Sequence, residues 1–415
     1  MRRRLRLVLL IALFTIGVFP HASAPALAAP RASGHIVARE VGIAQPVPDA
    51  GALSLDPTIP AGRAAGLAVG STGGVFRYTS PAIAAGQLFD RLGVHWTERA
   101  GVLDPISIDV RTSADGRSWS AWAAAADDDD MFDAGRNEHY ASPLPATAGA
   151  RFAQYRAWLT GDALTHVGLT FMDVSDLNAG PLVTLLDDVR GAAASFGESY
   201  AVAAPAGASR ILTRQDWGAD ESLMQWTPEY KRVQKAIVHH TAGDDGGTNV
   251  AATIRGIYYF HAVTRGWGDI GYNYLVDKYG NIWTGRSGGD HVIGGHAYGW
   301  NNGSIGVAAI GTYSSTSPTP AMVGAIANII ALKFAQFGIA PYGADTFTHQ
   351  EQRSDGSWIP VTTNPPNIQG HRDANYIVGE HGGQTECPGQ MLWNQLPTIR
   401  MLAQSAVQNG YTNLV

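Results

Sequence analysis

The chain has 415 residues, 45% of them hydrophobic, enough to bury two cores of ordinary size, so two domains are expected. Its 29 Lys and Arg against 35 Asp and Glu, a net charge of −6, exclude the strongly basic balance of a nucleic-acid binder. Cys387 is the only cysteine, which excludes an internal disulfide and leaves one thiol to be explained.

Arg2, Arg3, Arg4 and Arg6 precede an apolar run over residues 7–19, and the segment closes on the small-residue pattern Ala26-Leu27-Ala28. This is the layout of a secretory signal peptide over residues 1–28. A membrane span needs about 20 apolar residues, whereas this run is shorter and broken by Gly17 and Pro20. Cleavage removes four arginines and no acid, taking the net charge from −6 to −10. No later stretch reads as long and apolar enough to span a bilayer. The expectation is a secreted protein, free or associated with a cell wall, without a membrane anchor.

Residues 29–71 are rich in Ala, Pro and Gly and read as a flexible spacer. From residue 72 the hydrophobic pattern acquires a period of two: Leu92, Val94 and Trp96, then Ile106, Ile108 and Val110, then Tyr155, Ala157 and Leu159, then Val167, Leu169 and Phe171. Asp115-Gly116 supplies a turn before Trp119 and Trp122. Residues 72–190 are therefore expected to form an all-β, sandwich-like accessory domain, ending in the start of a linker. The acidic run over residues 127–130 lacks the ligand spacing of a calcium loop and reads as a solvated turn. Ala, Gly and Ser dominate the linker at 191–209.

Strands alternate with helices from residue 210 to 405, before a tail at 406–415. An apolar strand over 236–239 leads to a helix from Asn249, with Thr248 as its expected cap. A hairpin joins residues 274–276 to 282–283, and 305–310 reads as a buried strand. Thr319-Pro320 opens a long helix that ends at Gly338. Residues 347–368, with Trp358, Pro365 and Pro366, look too irregular for a core element, and a last helix covers 390–403. The expected class is α/β, a mixed central sheet flanked by helices.

Eight of the 13 histidines lie in this second half, and His239-His240 ends its first strand. Successive strand residues face opposite ways, so only one of the two can enter a given site. Gly370-His371-Arg372-Asp373 and Thr385-Glu386-Cys387-Pro388-Gly389 each carry a donor on a turn-rich segment. Metal ligation would keep an exported thiol deprotonated and shielded, but no local two-histidine helical spacing is present.

Five motifs occur in a telling order: His239-His240-Thr241-Ala242-Gly243; Gly266-Trp267-Gly268-Asp269-Ile270-Gly271-Tyr272; Gly285-Arg286; Gly295-His296-Ala297 with Ser304-Ile305-Gly306; and Thr385-Glu386-Cys387-Pro388-Gly389. Over about residues 211–403 the chain resembles the peptidoglycan recognition protein family. The likeness is to its zinc N-acetylmuramoyl-L-alanine amidase branch, the type 2 amidases related to the phage lysozyme-like enzymes. The resemblance implies the mixed-sheet fold of that family, with Zn2+ held by His239, His371 and Cys387 and a fourth position left open, as in catalytic zinc sites. It implies that Tyr272 orients water or bonds the developing oxyanion, and that Thr385 occupies a catalytic position.

Gly266, Trp267, Arg286 and His296 match substrate-binding positions. The first three resemble a selector for the meso-diaminopimelic acid stem peptide, whose extra carboxylate an arginine fork can bind. The implied function is hydrolysis of the lactyl amide between muramic acid and L-alanine in peptidoglycan. Two alternatives stay open: a non-catalytic recognition protein that only binds peptidoglycan, and zinc-dependent cleavage of a peptide bond within the stem. Glu386 is either a general base or a surface or supporting acid. The 16 positions from His371 to Cys387, with Gly379, Gly382 and Gly383, imply an inserted loop beside the metal, in which His381 is read as a bystander.

Overall fold

The computed structural model describes residues 36–44, 75–98, 107–127, 137–160, 164–174, 210–353, 355–374 and 385–409. The expected signal peptide, the linker at 191–209 and the loop bearing His381 lie outside the described residues, as do most of the expected spacer and of the acidic run at 127–130.

Among the described residues of the first half there are nine strands: β1 (Val37–Ala44), β2 (Val75–Thr79), β3 (Ile83–Ala84), β4 (Arg91–Glu98), β5 (Ser107–Ser113), β6 (Ala123–Ala125), β7 (Glu138–Pro145), β8 (Phe152–Thr160) and β9 (Leu164–Asp173). They build two antiparallel sheets, ordered β1-β9-β4-β7 and β2-β8-β5-β6, with β3 joining β8. Leu92, Val94 and Trp96 of one sheet meet Ile108, Val110, Tyr155 and Ala157 of the other in one buried cluster. Burying one face of each strand while the other stays polar is what the alternation encodes. Trp119 and Trp122 do not enter this core; their rings take the guanidinium of Arg111 at 4.8 Å and 4.4 Å.

β1 lies in the segment read as spacer, yet it pairs with β9 from Val37 opposite Asp173 to Ala44 opposite His166. A half-buried charge cluster secures it. His95 on β4 is 2.6 Å from Glu138 Oε1 through Nδ1 and 2.6 Å from Glu40 Oε1 through Nε2, and Glu40 also accepts from the Thr170 hydroxyl. Burial opposes charge on His95, but the hydrogen bonds and charges of Glu138 and Glu40 outweigh it and raise its pKa to about 9.

The second half carries β10 (Ile211–Leu212), β11 (Lys235–His240), β12 (Tyr274–Val276), β13 (Ile282–Thr284), β14 (Ser304–Ala309), β15 (Phe347–Gln352), β16 (Trp358–Thr363) and β17 (Ile368–Gly370). Its helices are α1 (Val250–Tyr259), α2 (Pro320–Phe337), α3 (Gln390–Trp393) and α4 (Leu396–Asn409). Six strands form one mixed sheet, ordered β10-β13-β12-β14-β11-β17. On one face Ala236, Val238, Ile305 and Val307 pack against Met322, Ile326 and Ile330 of α2 and Ile399 of α4. On the other, Leu275, Trp283 and Ala308 pack against Val250, Ile254 and Tyr258 of α1.

α2 begins and ends where its signals place it: Thr319 Oγ1 accepts from Met322 N at 3.1 Å, Pro320 takes the first turn, and Gly338 closes it in the left-handed conformation with φ 68°. Against expectation it is long and apolar enough to cross a membrane, and its burial against the sheet accounts for that composition. The cap of α1 is Asn249 rather than Thr248, through Asn249 Oδ1 and Ala252 N at 2.9 Å. Residues 347–368 are more regular than expected, forming the β15–β16 antiparallel hairpin. The last helix divides into α3 and α4 and runs to Asn409, beyond the expected boundary at 405.

The two halves are not independent bodies. Ile36, Met172 and Val174 join the α1 core, Arg255 on α1 donates to Val174 O at 2.6 Å, and residues Gly34–Val415 make up a single compact unit.

The His95 cluster predicts a pH dependence. A histidine raised to about 9 in the folded chain, against about 6.5 unfolded, contributes stability that is complete below the unfolded value and is lost as pH rises through the folded one. Denaturant unfolding at pH 6 and pH 9.5 is expected to show a fall on the order of 1–3 kcal/mol in wild type that His95→Gln lacks.

Candidate metal centre

Strand pairing brings the donors together. β11 runs parallel to β17 with Val238 opposite Gly370, so His371, one residue past the end of β17, emerges beside His239. His239 lies on the same side of β11 as Ile237, which packs with Ala297 and Trp300. His240 lies on the other side, where its Nδ1 accepts from Tyr313 N at 3.3 Å. One ligand atom each of His239, His371 and Cys387 falls within 4.8 Å of the others, and Cys387 Sγ is 3.5 Å from His239 Nδ1. All three residues are buried.

Each donor is fixed by hydrogen bonds behind it. His371 opens the 3-10 turn His371–Ala374, whose Asp373 accepts from Gly370 N at 2.9 Å and from Trp393 Nε1 at 3.0 Å. Arg372 N donates to Cys387 O at 2.8 Å, joining the two donor-bearing segments. Thr385, expected at a catalytic position, is buried, and its hydroxyl accepts from Cys387 N at 2.9 Å, so its visible contact shapes the cysteine turn. Glu386, by contrast, points outward with its side chain 80% exposed and 3.7 Å from Arg372. Two imidazoles and a thiol are a donor set suited to zinc. Among the described residues the group has three members.

His296, matched to a substrate contact, lies beside His239. It is 6% exposed, and its Nδ1 is 3.0 Å from His239 Nε2. Were a metal held at His239 Nδ1, the ring proton would sit on Nε2 and be shared with His296. Burial first, then the positive potential of His239, His371 and Arg286, pushes the His296 pKa well below the usual value. Gly294 and Gly306 make room for its ring: a Cβ at either would come within 2.4 Å and 2.3 Å of it.

Tyr272 is buried beside this group, its ring 5.4 Å from that of His239 and its hydroxyl 3.5 Å from His240 O. His261 is its neighbour. It stands in a π-helical turn, Phe260–Thr264, that continues α1, a local widening frequent at functional sites. Its Nδ1 accepts from Gly271 N at 3.1 Å, and its ring is 4.7 Å from Trp267 and 5.6 Å from Tyr272. The signal that could have marked it was its position shortly before the Gly266-Trp267 motif.

Gly266 has φ 69°, a left-handed turn that glycine accommodates without strain and that leads directly to Trp267. Arg286 is buried rather than solvated at the hairpin end. Its guanidinium lies 3.8 Å over the Trp226 ring, and Nη1 donates to Ile270 O at 3.2 Å. Nε is buried without a hydrogen-bond partner. Burial lowers the Arg286 pKa to about 10, with Asp269 opposing that shift and Arg214 adding to it. Asp269, unremarked within its motif, anchors the loop by accepting from Arg214, Ile270 N and Ser287 N.

Comparison with known proteins fits this geometry. Residues 229–390 match the family described as N-acetylmuramoyl-L-alanine amidase. Peptidoglycan-recognition protein SC2 of Drosophila melanogaster is 30% identical over 190 residues, covering 45% of this chain and 85% of that protein. The human N-acetylmuramoyl-L-alanine amidase is 42% identical over 74 residues, 18% of this chain and 12% of that protein. Among solved structures, wild-type Drosophila PGRP-LB aligns over 46% of this chain and 94% of its own, with 28% identity and a TM-score of 0.35. The chain belongs to the peptidoglycan-recognition protein family.

The opposed directions of the two strand-end histidines yield a test by metal analysis. His239→Ala is expected to weaken zinc binding by at least about a hundredfold, whereas His240→Ala changes it by less than about tenfold. Reversed effects would place His240 in the site.

Proposed function

We propose that the chain is a secreted, zinc-dependent N-acetylmuramoyl-L-alanine amidase that separates the glycan from the stem peptide of peptidoglycan. The observation that carries this reading is the buried convergence of His239, His371 and Cys387 within 4.8 Å, a set that leaves a coordination position for a reacting group. A recognition protein has no need of three such donors in one place. The N-terminal pattern of residues 1–28 supports export.

Zinc in such a set supplies a Lewis acid and lowers the pKa of water toward neutrality. The chain supplies the positioning. His296 holds the His239 ring, Thr385 holds the Cys387 turn, and Asp373 holds the His371 turn, so that the donors need little rearrangement on binding. Tyr272, whose ring lies 5.4 Å from that of His239, would donate its hydroxyl to an amide oxygen as it gains negative charge, an interaction worth a few kcal/mol in a dry site. Arg286 offers a buried guanidinium with Nε lacking a protein acceptor, and a second carboxylate on the third stem residue would complete it. That favours the meso-diaminopimelic stem over the lysine stem, whose side chain carries no carboxylate.

Removal of zinc with a chelator should abolish release of stem peptide from cell-wall sacculi, and added zinc should restore it. A chain that binds wall fragments, holds zinc and releases no peptide would be a recognition protein instead. Tyr272→Phe is expected to retain one zinc per chain while kcat falls at least about a hundredfold; activity near wild type would reduce the residue to packing. Arg286→Ala is expected to narrow the kcat/KM preference between otherwise identical diaminopimelate and lysine muropeptides from about tenfold or more to near parity.

A further inference from the structure

The first-half β structure reaches the recognition loop of the second half through one strand. Tyr140 on β7 is 1% exposed and forms a small buried cluster with Phe260, against which Trp267 packs. The guanidinium of Arg265 lies 4.0 Å over the Tyr140 ring and 5.1 Å over the Trp267 ring, bridging the two aromatic side chains. The Phe260 ring meets Tyr140 edge-on at 5.8 Å and lies so close to Gly93 on β4 that a Cβ there would come within 2.7 Å of it.

Tyr140 is itself held from behind. The His95 ring stacks on it at 5.3 Å and 11°, and His95 is fixed by Glu138 and Glu40. Two residues along β7, the buried hydroxyl of Ser142 donates to Thr241 O, just past His239-His240.

We propose that β7 is a positioning element of the stem-peptide site: Tyr140, through Arg265, sets where Trp267 stands. The proposal rests on the reading of Trp267 as part of that site. Trp267 lies between two left-handed glycines, Gly266 and Gly268; backbone hydrogen bonds from Trp267 N to His261 O at 2.9 Å and from Gly268 N to Ala262 O at 3.1 Å hold the main chain, which leaves the direction of the indole to side-chain packing. A cation held between two aromatic faces does this with directionality that an aliphatic contact lacks. Tyr140 and Arg265 need not touch the substrate. Their effect is on discrimination between stems, transmitted by the indole.

The test measures binding of two free stem tetrapeptides, with meso-diaminopimelate or lysine at the third position, to the zinc-loaded full-length chain. Neither peptide contains the lactyl amide, so both persist during calorimetry. Wild type is expected to prefer the diaminopimelate peptide by about tenfold or more. Tyr140→Leu and Arg265→Met should each reduce that preference below about threefold, with zinc stoichiometry unchanged. Tyr140→Phe, which keeps the aromatic face, should retain it. Arg265→Met leaves the first-half core untouched and carries the test if Tyr140→Leu does not fold. A wild-type chain that does not distinguish the peptides, or a preference that survives Arg265→Met, overturns the proposal. Release of stem peptide from sacculi is read separately, so failure of the amidase reading is distinguishable from failure of this one.

Discussion

The parallel register of β11 between β14 and β17 is the constraint on which the site depends. Val238 opposite both Val307 and Gly370 fixes which end of β17 delivers His371 and which face of β11 presents His239. A slip of one residue would turn His239 toward α2 and expose His240 to the donors. The register is protected by burial on both faces, because Ala236 and Val238 belong to the α2 core while Ile237 belongs to the cluster around Trp300. At the start of β11, fully buried Lys235 adds a polar lock: its Nζ donates to Asp345 O, Pro365 O and Asn367 Oδ1. Exchanging any of these residues for one of the wrong volume or polarity would be felt at the metal centre.

Around that strand the site is layered. The three donors form an inner group, and His296, Thr385 and Asp373 hold one donor each by hydrogen bonds. Glycines with close neighbours, Gly294 and Gly306, let the bracing histidine approach. The loop that carries Trp267 is a separate structure, anchored below by Asp269 and Arg214 and beside by Arg265 and Tyr140. The proposed metal centre and the proposed stem site are thus supported by different contacts, so substitutions should affect one without the other.

Much of this was legible in the sequence because its signals are local. The cap and stop of α2 are written in Thr319-Pro320 and Gly338, and strand alternation alone separated His239 from His240. The ordered motifs contain His239 and Cys387, and the turn-rich segment Gly370-His371-Arg372-Asp373 contains His371. What could not be read depends on distant partners. β1 lies in a segment whose Ala, Pro and Gly content resembles a spacer, and its pairing is secured by Glu40 meeting His95, 55 residues away. His296 matched a motif for substrate contact, and only the fold shows its ring beside His239. Thr385 likewise gave no sign that its hydroxyl would be spent on Cys387 N. The shared core around Val174 and Arg255 arises from contacts across 81 positions that no local period records.

The most direct measurement of the central claim is mass spectrometry of diaminopimelate-type sacculi digested by the zinc-loaded chain and by Cys387→Ser. The account predicts free stem peptides with an amino-terminal L-alanine and glycan strands left uncut from wild type, and a loss of most of that release in the variant. Fragments cut within the stem peptide, or equal release by both proteins, would contradict it.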